Sequence, residues 1–370
     1  MKIKDIIAEI EKIAPPALAL DWDNVGLLVG DSGREVKNIL MTIDITKAVI
    51  VEAKKNKAEL ILSYHPAIWD GLKTVTASGT GSIVYDLIRS NIAAYSMHTS
   101  VDIVAGGVND GLAEMVGIIN SEPLGDYVTN PADENFKLIV FVPTDAANKV
   151  SDAVFAAGAG SIGNYSNCGF ASQGLGSFRP LKGSNPAIGS RGKLEKVPEI
   201  KFETIVPAAR IRPVVEAMLK AHPYEVPAYD IVKLADVHNR YGLGRIGSLA
   251  KATSLKKILE RIKKTTGAEV AGIIGSQNRL IRTAAVCAGS CGKIINNVIA
   301  AGCDLYVTGE LKHHYALAAK EAKMTAICLS HTVSERFILK KLAKDLQKRL
   351  KTVKIRTSKQ DKDPFNWKSV

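Results

Sequence analysis

Seven histidines are spread along this 370-residue chain, and several of them follow strand-like segments. Ile61-Leu62-Ser63-Tyr64 runs into His65-Pro66, and Ala93-Ala94-Tyr95-Ser96-Met97 runs into His98, with Asp102 four residues on. Leu305-Tyr306-Val307-Thr308 leads to Gly309-Glu310, and Ala326-Ile327-Cys328-Leu329 leads to Ser330-His331, with Glu335 four residues on. Ligands of open α/β sheets bind beyond the carboxyl ends of the strands, so imidazoles and carboxylates gathered there can form a metal site. Residues i and i+4 share a helix face, which lets His331 and Glu335 converge on one point. His98 and Asp102 repeat that spacing, and His65 adds a third imidazole. Such donors suit Zn²⁺, Mn²⁺, Fe²⁺ or Co²⁺. A carboxylate bridging two ions would make a two-metal centre, which lowers the pKa of bound water and points to hydrolysis. Taken singly, a histidine after a strand is more often a hydrogen-bonded structural residue. The weight lies in four strand ends agreeing.

The elements that must position these residues read as α/β. A helix over about 3–13 ends before Pro15-Pro16. Asp21–Gly26 is a polar turn, Leu27–Val29 a short strand and Asn38–Ile43 a buried strand, and Thr46 can cap the helix that follows. Strands alternating with helices imply mostly parallel sheets. The pattern then changes over 128–234. Strands at Phe136–Pro143, near Ser177–Arg179, at Ile200–Val206 and at Tyr229–Leu234, with two helices, read as βαββαβ. The Gly/Ser/Asn-rich stretch from Gly158 to Gly192 is expected to be loop with short strands. We therefore expect one composite α/β core, 1–127 with 235–370, interrupted by a ferredoxin-like α+β insert. In the core, Thr253 is expected to cap the helix marked by Leu255, Ile258, Leu259 and Ile262, and Gly267 to end it.

Gly242-Leu243-Gly244-Arg245-Ile246-Gly247 fits G-x-G-x-x-G, but a strand-like segment follows it, so a dinucleotide fingerprint is rejected. Gly289-Ser290-Cys291-Gly292 reads as a tight turn, and His222-Pro223-Tyr224-Glu225 as a helix-ending turn. Adjacent His313 and His314 cannot face the same way, so at most one reaches the site. The formal charge of +12 is concentrated from Lys340 onward and reads as a solvated helix face. Only Phe337, Phe365 and Trp367 accompany it, so nucleic acid is not an expected partner, whereas a small anionic substrate is. Five cysteines suggest reduced thiols and a cytoplasmic location, with no zinc site at Cys287-x-x-x-Cys291. No apolar run reaches the roughly 18 residues of a membrane span.

Together, Trp22-Asp23-Asn24-Val25-Gly26-Leu27-Leu28-Val29-Gly30, His65-Pro66, His98-Thr99-x-x-Asp102, Ala285–Ser290, Thr308-Gly309-Glu310 and Ser330-His331-x-x-Ser334-Glu335 resemble the GTP cyclohydrolase type 2 homologue, or NIF-three-like, family, in the right order. Asn164–Cys168, Gly176–Pro180 and His222–Glu225 are similar to the inserted domain of its long bacterial form, which resembles PII and CutA. The resemblance implies a two-metal centre and a toroidal homohexamer. It also implies hydrolysis of a nucleotide or related phosphorylated compound. The alternative expectation is a non-catalytic metal-binding or regulatory scaffold with a ligand-sensing insert. Carried over by motif, His65, Asp102, His331 and Glu335 would be ligands, with Glu335 the bridge, and Glu310 and His314 candidates for proton transfer. Tyr64 departs from the family, which has histidine there. A neutral phenol is a poor ligand. Either the second ion binds weakly, or Tyr64 coordinates as phenolate, or His98 compensates, so one or two ions per subunit are expected.

Overall fold

The computed structural model describes residues 1–235 and 240–367. The end of the basic tail, 368–370, lies outside them. The chain divides into two compact units, Met1–Val128 with Asn239–Val370, and Thr129–His238.

The first unit carries two sheets over one shared core. The five-stranded sheet runs Gly26–Val29, Ala93–Ser96, Leu60–Ser63, Asn38–Thr42 and Lys354–Thr357. Its last four strands are mutually parallel, and Leu60–Ser63 and Ala93–Ser96 are buried throughout. Strands covered on both faces need apolar residues at every position, which is why they read as continuous hydrophobic runs. The six-stranded sheet runs Gly272–Ile274, Thr325–Cys328, Leu305–Thr308, Leu280–Cys287, Tyr241–Ser254 and Ile118–Val128. Here the expectation of mostly parallel sheets needs correction. Only the pairs made by Leu305–Thr308 are parallel, and the three other pairings are antiparallel. The long strand Tyr241–Ser254 makes two of these and the short edge strand Gly272–Ile274 the third, and Val128 of Ile118–Val128 pairs in register with Tyr241. Ile39, Leu60 and Leu62 share one apolar cluster with Ala284, Val286 and Ile327, so both sheets face the same interior.

The glycines of the rejected G-x-G-x-x-G segment have a packing role. A Cβ at Gly242, Gly244 or Gly247 would lie 2.7, 2.7 or 2.8 Å from a neighbouring strand's carbonyl oxygen. Between them Arg245 is buried and forks onto Asp110 at 2.8 and 2.9 Å, and its guanidinium also donates to the carbonyls of Gly242, Gly244, Ile103 and Val104.

Thr46 caps its helix through the Val49 N–H, and Gly267 ends the Leu255–Thr266 helix in the left-handed region. Thr253 does not cap that helix. Ser254 holds the cap position, and the Thr253 hydroxyl donates to the Lys251 carbonyl. The basic helix Ile338–Arg349 buries Ile338, Leu339, Leu342 and Leu346 and turns its lysines outward. The strand Lys354–Thr357 was not foreseen. It is a charged edge strand, and such strands lack an apolar signature. Cys287 and Cys291, expected as thiols, are joined in a disulfide with Cα atoms 6.2 Å apart, because the turn at Gly289 folds the chain back. The other three cysteines are free. No helix among the described residues is long and apolar enough to cross a membrane.

The second unit has one four-stranded antiparallel sheet, in the order Gly169–Phe178, Glu195–Pro207, Asn135–Pro143, Tyr229–Lys233, with helices Ala147–Ala156 and Ile211–Ala221. Gly169–Phe178, expected as mostly loop, is a ten-residue edge strand. Its glycines admit neighbouring side chains: a Cβ at Gly169 would meet the Phe202 ring at 2.7 Å.

Candidate metal centre

The parallel register sets Ser63 beside Ser96, and Cys287, Thr308 and Cys328 abreast. The segments that follow these strands therefore leave each sheet at one edge. His65 comes from the first sheet, and His331 and Glu335 from the second. One ligand atom from each lies within 4.8 Å of the others. Glu335, in the short helix Val333–Arg336, faces His331 Nε2 through Oε1 at 3.3 Å and His65 Nε2 through Oε2 at 3.5 Å. Its carboxylate is 4% exposed, and Oε2 is buried with no hydrogen-bond partner. A buried charge without full compensation is costly, and a cation between these atoms would remove that cost.

Each imidazole is held from behind. His65 Nδ1 meets Asp44 Oδ1 at 2.8 Å, and His331 Nδ1 meets Glu310 Oε1 at 3.0 Å. Such outer carboxylates fix the ring and turn Nε2 toward a metal. Gly289 completes the enclosure. At φ +69° its absent Cβ would sit 2.6 Å from Glu335 Oε1, and its N–H donates to Ser334 Oγ at 2.9 Å.

The electrostatics follow from this packing. Burial pulls the His65 imidazole down, but Asp44 and Glu335 overcome it and raise its pKa to about 10. Glu335 in the same way raises His331 to about 9, against burial. Burial raises the Glu335 carboxyl, yet His331 and His65 hold it below the ordinary carboxylate range. The metal-free site thus keeps its charge balance with protons, which a divalent ion would displace.

The remaining candidates separate. His98 opens the helix His98–Ile103, with Nδ1 2.8 Å from Asp23 Oδ1, and its ring centre is 5.2 Å from that of His65. Asp102 accepts a hydrogen bond from the Tyr64 hydroxyl. Burial raises the Asp102 carboxyl to about 7, with His98 and Tyr64 opposing. Tyr64 is fully buried, and burial, then Asp102 and Glu335, push its phenol well above the usual range. That argues against phenolate. Glu310 is exposed and backs His331. His314 is exposed at the start of the helix His313–Glu321 and does not line the cleft; its neighbours Lys312 and Tyr315 do. Gly292 lies against the Tyr315 ring, which fills the space on that side.

His331 and Glu335 line a cleft of ≈ 480 Å³ whose walls also include Trp22, Trp69, Lys293 and Lys312. Trp22 and Trp69 are 64% and 54% exposed. The Trp69 ring centre is 5.1 Å from that of His98.

A family model described as Duf34/NIF3 (NGG1p interacting factor 3) matches residues 1–364. The chain belongs to the Duf34/NIF3 family. Two relatives named "GTP cyclohydrolase 1 type 2 homolog" agree. That of Halalkalibacterium halodurans is 37% identical over 98% of both chains, and that of Bacillus subtilis is 34% identical over 98% of both. A solved Bacillus cereus protein related to NIF3 superposes with a TM-score of 0.81 at 36% identity, over 99% of each chain. A Staphylococcus aureus structure also gives 0.81, at 28% identity over 99% of each chain. In this Duf34/NIF3 member, sequence reasoning missed Asp23, Asp44 and the cleft tryptophans. Asp44 lies just past the strand Asn38–Thr42, so the strand-end rule that found His65 covers it too. Asp23 sits in a turn, where no periodicity marks it.

Proposed function

We propose that this protein is a divalent-metal-dependent hydrolase of a nucleotide or a related phosphorylated compound. One observation carries the reading: three convergent donors, from His65, His331 and Glu335, at a cleft, with a buried carboxylate oxygen that has no hydrogen-bond partner. Bound there, Zn²⁺, Mn²⁺, Fe²⁺ or Co²⁺ would supply Lewis acidity and lower the pKa of a water. Three protein donors leave a coordination position open, as catalytic sites require. Asp44 and Glu310 orient the two imidazoles. Trp22 and Trp69 offer aromatic faces to a planar base, and Lys293 and Lys312 offer charge to an anionic group. The relatives' name makes GTP the first nucleotide to test.

A second reading is a metal-binding or regulatory scaffold without turnover. It is favoured by Tyr64, whose phenol engages Asp102 where the family resemblance has an imidazole. We take one tightly held ion per chain as the working stoichiometry, with Asp102 and His98 as the weaker second position. Two more features belong to the proposal: a toroidal homohexamer, and a ferredoxin-like second unit supported by its βαββαβ order. Metal analysis of chelator-free protein, followed by turnover assays with added Mn²⁺ or Zn²⁺ on a nucleotide panel, tests the enzyme reading. Metal without any turnover that His331→Ala abolishes would leave the scaffold.

A further inference from the structure

Two segments of the second unit play no part in the metal centre: Gly176-Ser177-Phe178-Arg179-Pro180 and His222-Pro223-Tyr224-Glu225. They meet at a single cavity of ≈ 450 Å³, within the range of small-molecule sites. Its walls are largely apolar and include Phe141, Phe178, Pro180 and Pro186, and the Phe178 and Tyr224 ring centres are 5.6 Å apart. Two carboxylates stand in this lining, Glu225, which accepts from a loop N–H, and the more deeply placed Glu199. Glu199 is only 9% exposed, and it accepts a hydrogen bond from the Tyr224 hydroxyl through Oε1 at 2.9 Å. No cation pairs with it among the described residues.

The position of Glu199 is built into the strand beside it. A Cβ at Gly176 would lie 2.0 Å from Glu199 Oε2 and 2.4 Å from its carboxyl carbon, so any other residue would expel the carboxylate. Tyr224 is held in turn by His222, the residue that ends the helix Ile211–Ala221. His222 Nδ1 accepts from the Tyr224 N–H at 3.0 Å, and Nε2 donates to the Phe141 carbonyl at 3.0 Å. The Asn185 N–H on Glu225 Oε2, at 2.9 Å, secures the neighbouring loop. Burial and Glu199 raise the Tyr224 phenol, which keeps it a neutral donor. The site therefore presents a fixed anion, half satisfied, among apolar and aromatic walls. A buried carboxylate in that state favours a cation or a strong N–H donor, and aromatic faces beside it favour the same charge.

We infer that this cavity binds a small organic ammonium or amidinium compound with a flat apolar body, its cation paired with Glu199 and its body against Phe178 and Tyr224. Arg179, exposed at the rim, is the residue an anionic ligand would choose instead.

Calorimetric titration of the full chain with three probes of one shape tests this: 2-phenylethylammonium, neutral 2-phenylethanol and anionic 3-phenylpropionate. The ammonium should bind about tenfold more tightly than the alcohol, the scale of a charge-assisted hydrogen bond, and the anion most weakly. Glu199→Gln should erase the preference for the ammonium, and Gly176→Ala should weaken the ammonium by displacing the carboxylate. Equal binding of the three, preference for the anion, or an unchanged preference in Glu199→Gln would overturn the inference. So would an absence of binding by every probe at millimolar concentration. If in that case Ala187→Trp in the cavity wall also changes the sedimentation coefficient, the occupant is a second copy of the chain. The ordering of the three probes is read on the unaltered protein, so it stands even if a variant fails to fold.

Discussion

Replacing Gly289 with alanine should separate the metal centre from the stability of the fold. Gly289 adopts φ +69° and faces Glu335 Oε1 across 2.6 Å and His331 Nε2 across 3.5 Å, measured from the position its Cβ would take. A non-glycine residue in the left-handed region costs about 1–2 kcal/mol. The close contact itself is cheap for the fold, because the atom that must yield is the end of a side chain. To reach an ordinary 3.4 Å contact, Glu335 Oε1 must retreat by about 0.8 Å. Metal sites tolerate ligand displacements of about 0.2 Å, so that movement removes a ligand. We expect Gly289→Ala to unfold in urea with a loss of about 1–2 kcal/mol, while Zn²⁺ affinity falls by about 100-fold or more, the upper end of what a disturbed ligand environment costs. The assay is paired: equilibrium urea denaturation of the metal-free protein, and Zn²⁺ titration against a competing chelator. Zn²⁺ affinity within about threefold of the parent would refute the placement of the metal beside Gly289.

Asp44→Asn should lower metal affinity by about 10- to 100-fold by freeing the His65 ring, read by the same chelator competition. Tyr64→His would set an imidazole beside Asp102 and should raise the metal bound per chain above the parent value, measured by elemental analysis; an unchanged content would count against a second position there. Asp110→Ala should cost about 3–5 kcal/mol by leaving the buried Arg245 guanidinium unpaired, and Arg245→Met should cost less than that, both read from urea midpoints. Burial raises the Asp304 carboxyl, but the N–H groups of Arg282 and Thr283 and the Arg279 guanidinium outweigh it, so its folded pKa is depressed. The stability it contributes is present above its unfolded pKa of about 3.9 and is lost as pH falls through the lower folded value. Asp304→Asn should therefore flatten the loss of stability between about pH 5 and pH 3, checked by urea denaturation across that range.

What the sequence revealed of this architecture depended on where apolar patterning was strong. Leu60–Ser63 and Leu305–Thr308 are central strands buried along their length, and Thr325–Cys328 is buried up to the half-buried Cys328; their apolar runs mark both the strand and the edge from which His65, Glu310 and His331 project. Lys354–Thr357 sits at an edge and carries two basic residues in four, so it resembles solvated tail. Gly169–Phe178 is a strand despite three glycines, because two of them, Gly169 and Gly176, make room for Phe202 and Glu199 from the strand beside it. Such a role depends on a neighbour distant in sequence. The same limit applies within the site. The i, i+4 spacing brings His331 to Glu335, but the joining of His65 to that pair depends on two sheets packing over one core. The engagement of Tyr64 with Asp102 likewise depends on tertiary placement.

The most direct test of the metal centre is elemental analysis of the full chain, purified without chelator and dialysed against metal-free buffer. It should be run beside His331→Ala and Glu335→Gln, each shown to be folded by circular dichroism. The proposed centre predicts about one divalent ion per chain in the parent protein and less than about a tenth of that in either variant. A parent chain that retains no ion after reloading with Zn²⁺, Mn²⁺, Fe²⁺ or Co²⁺, or folded variants that keep the parent's full complement, would contradict it.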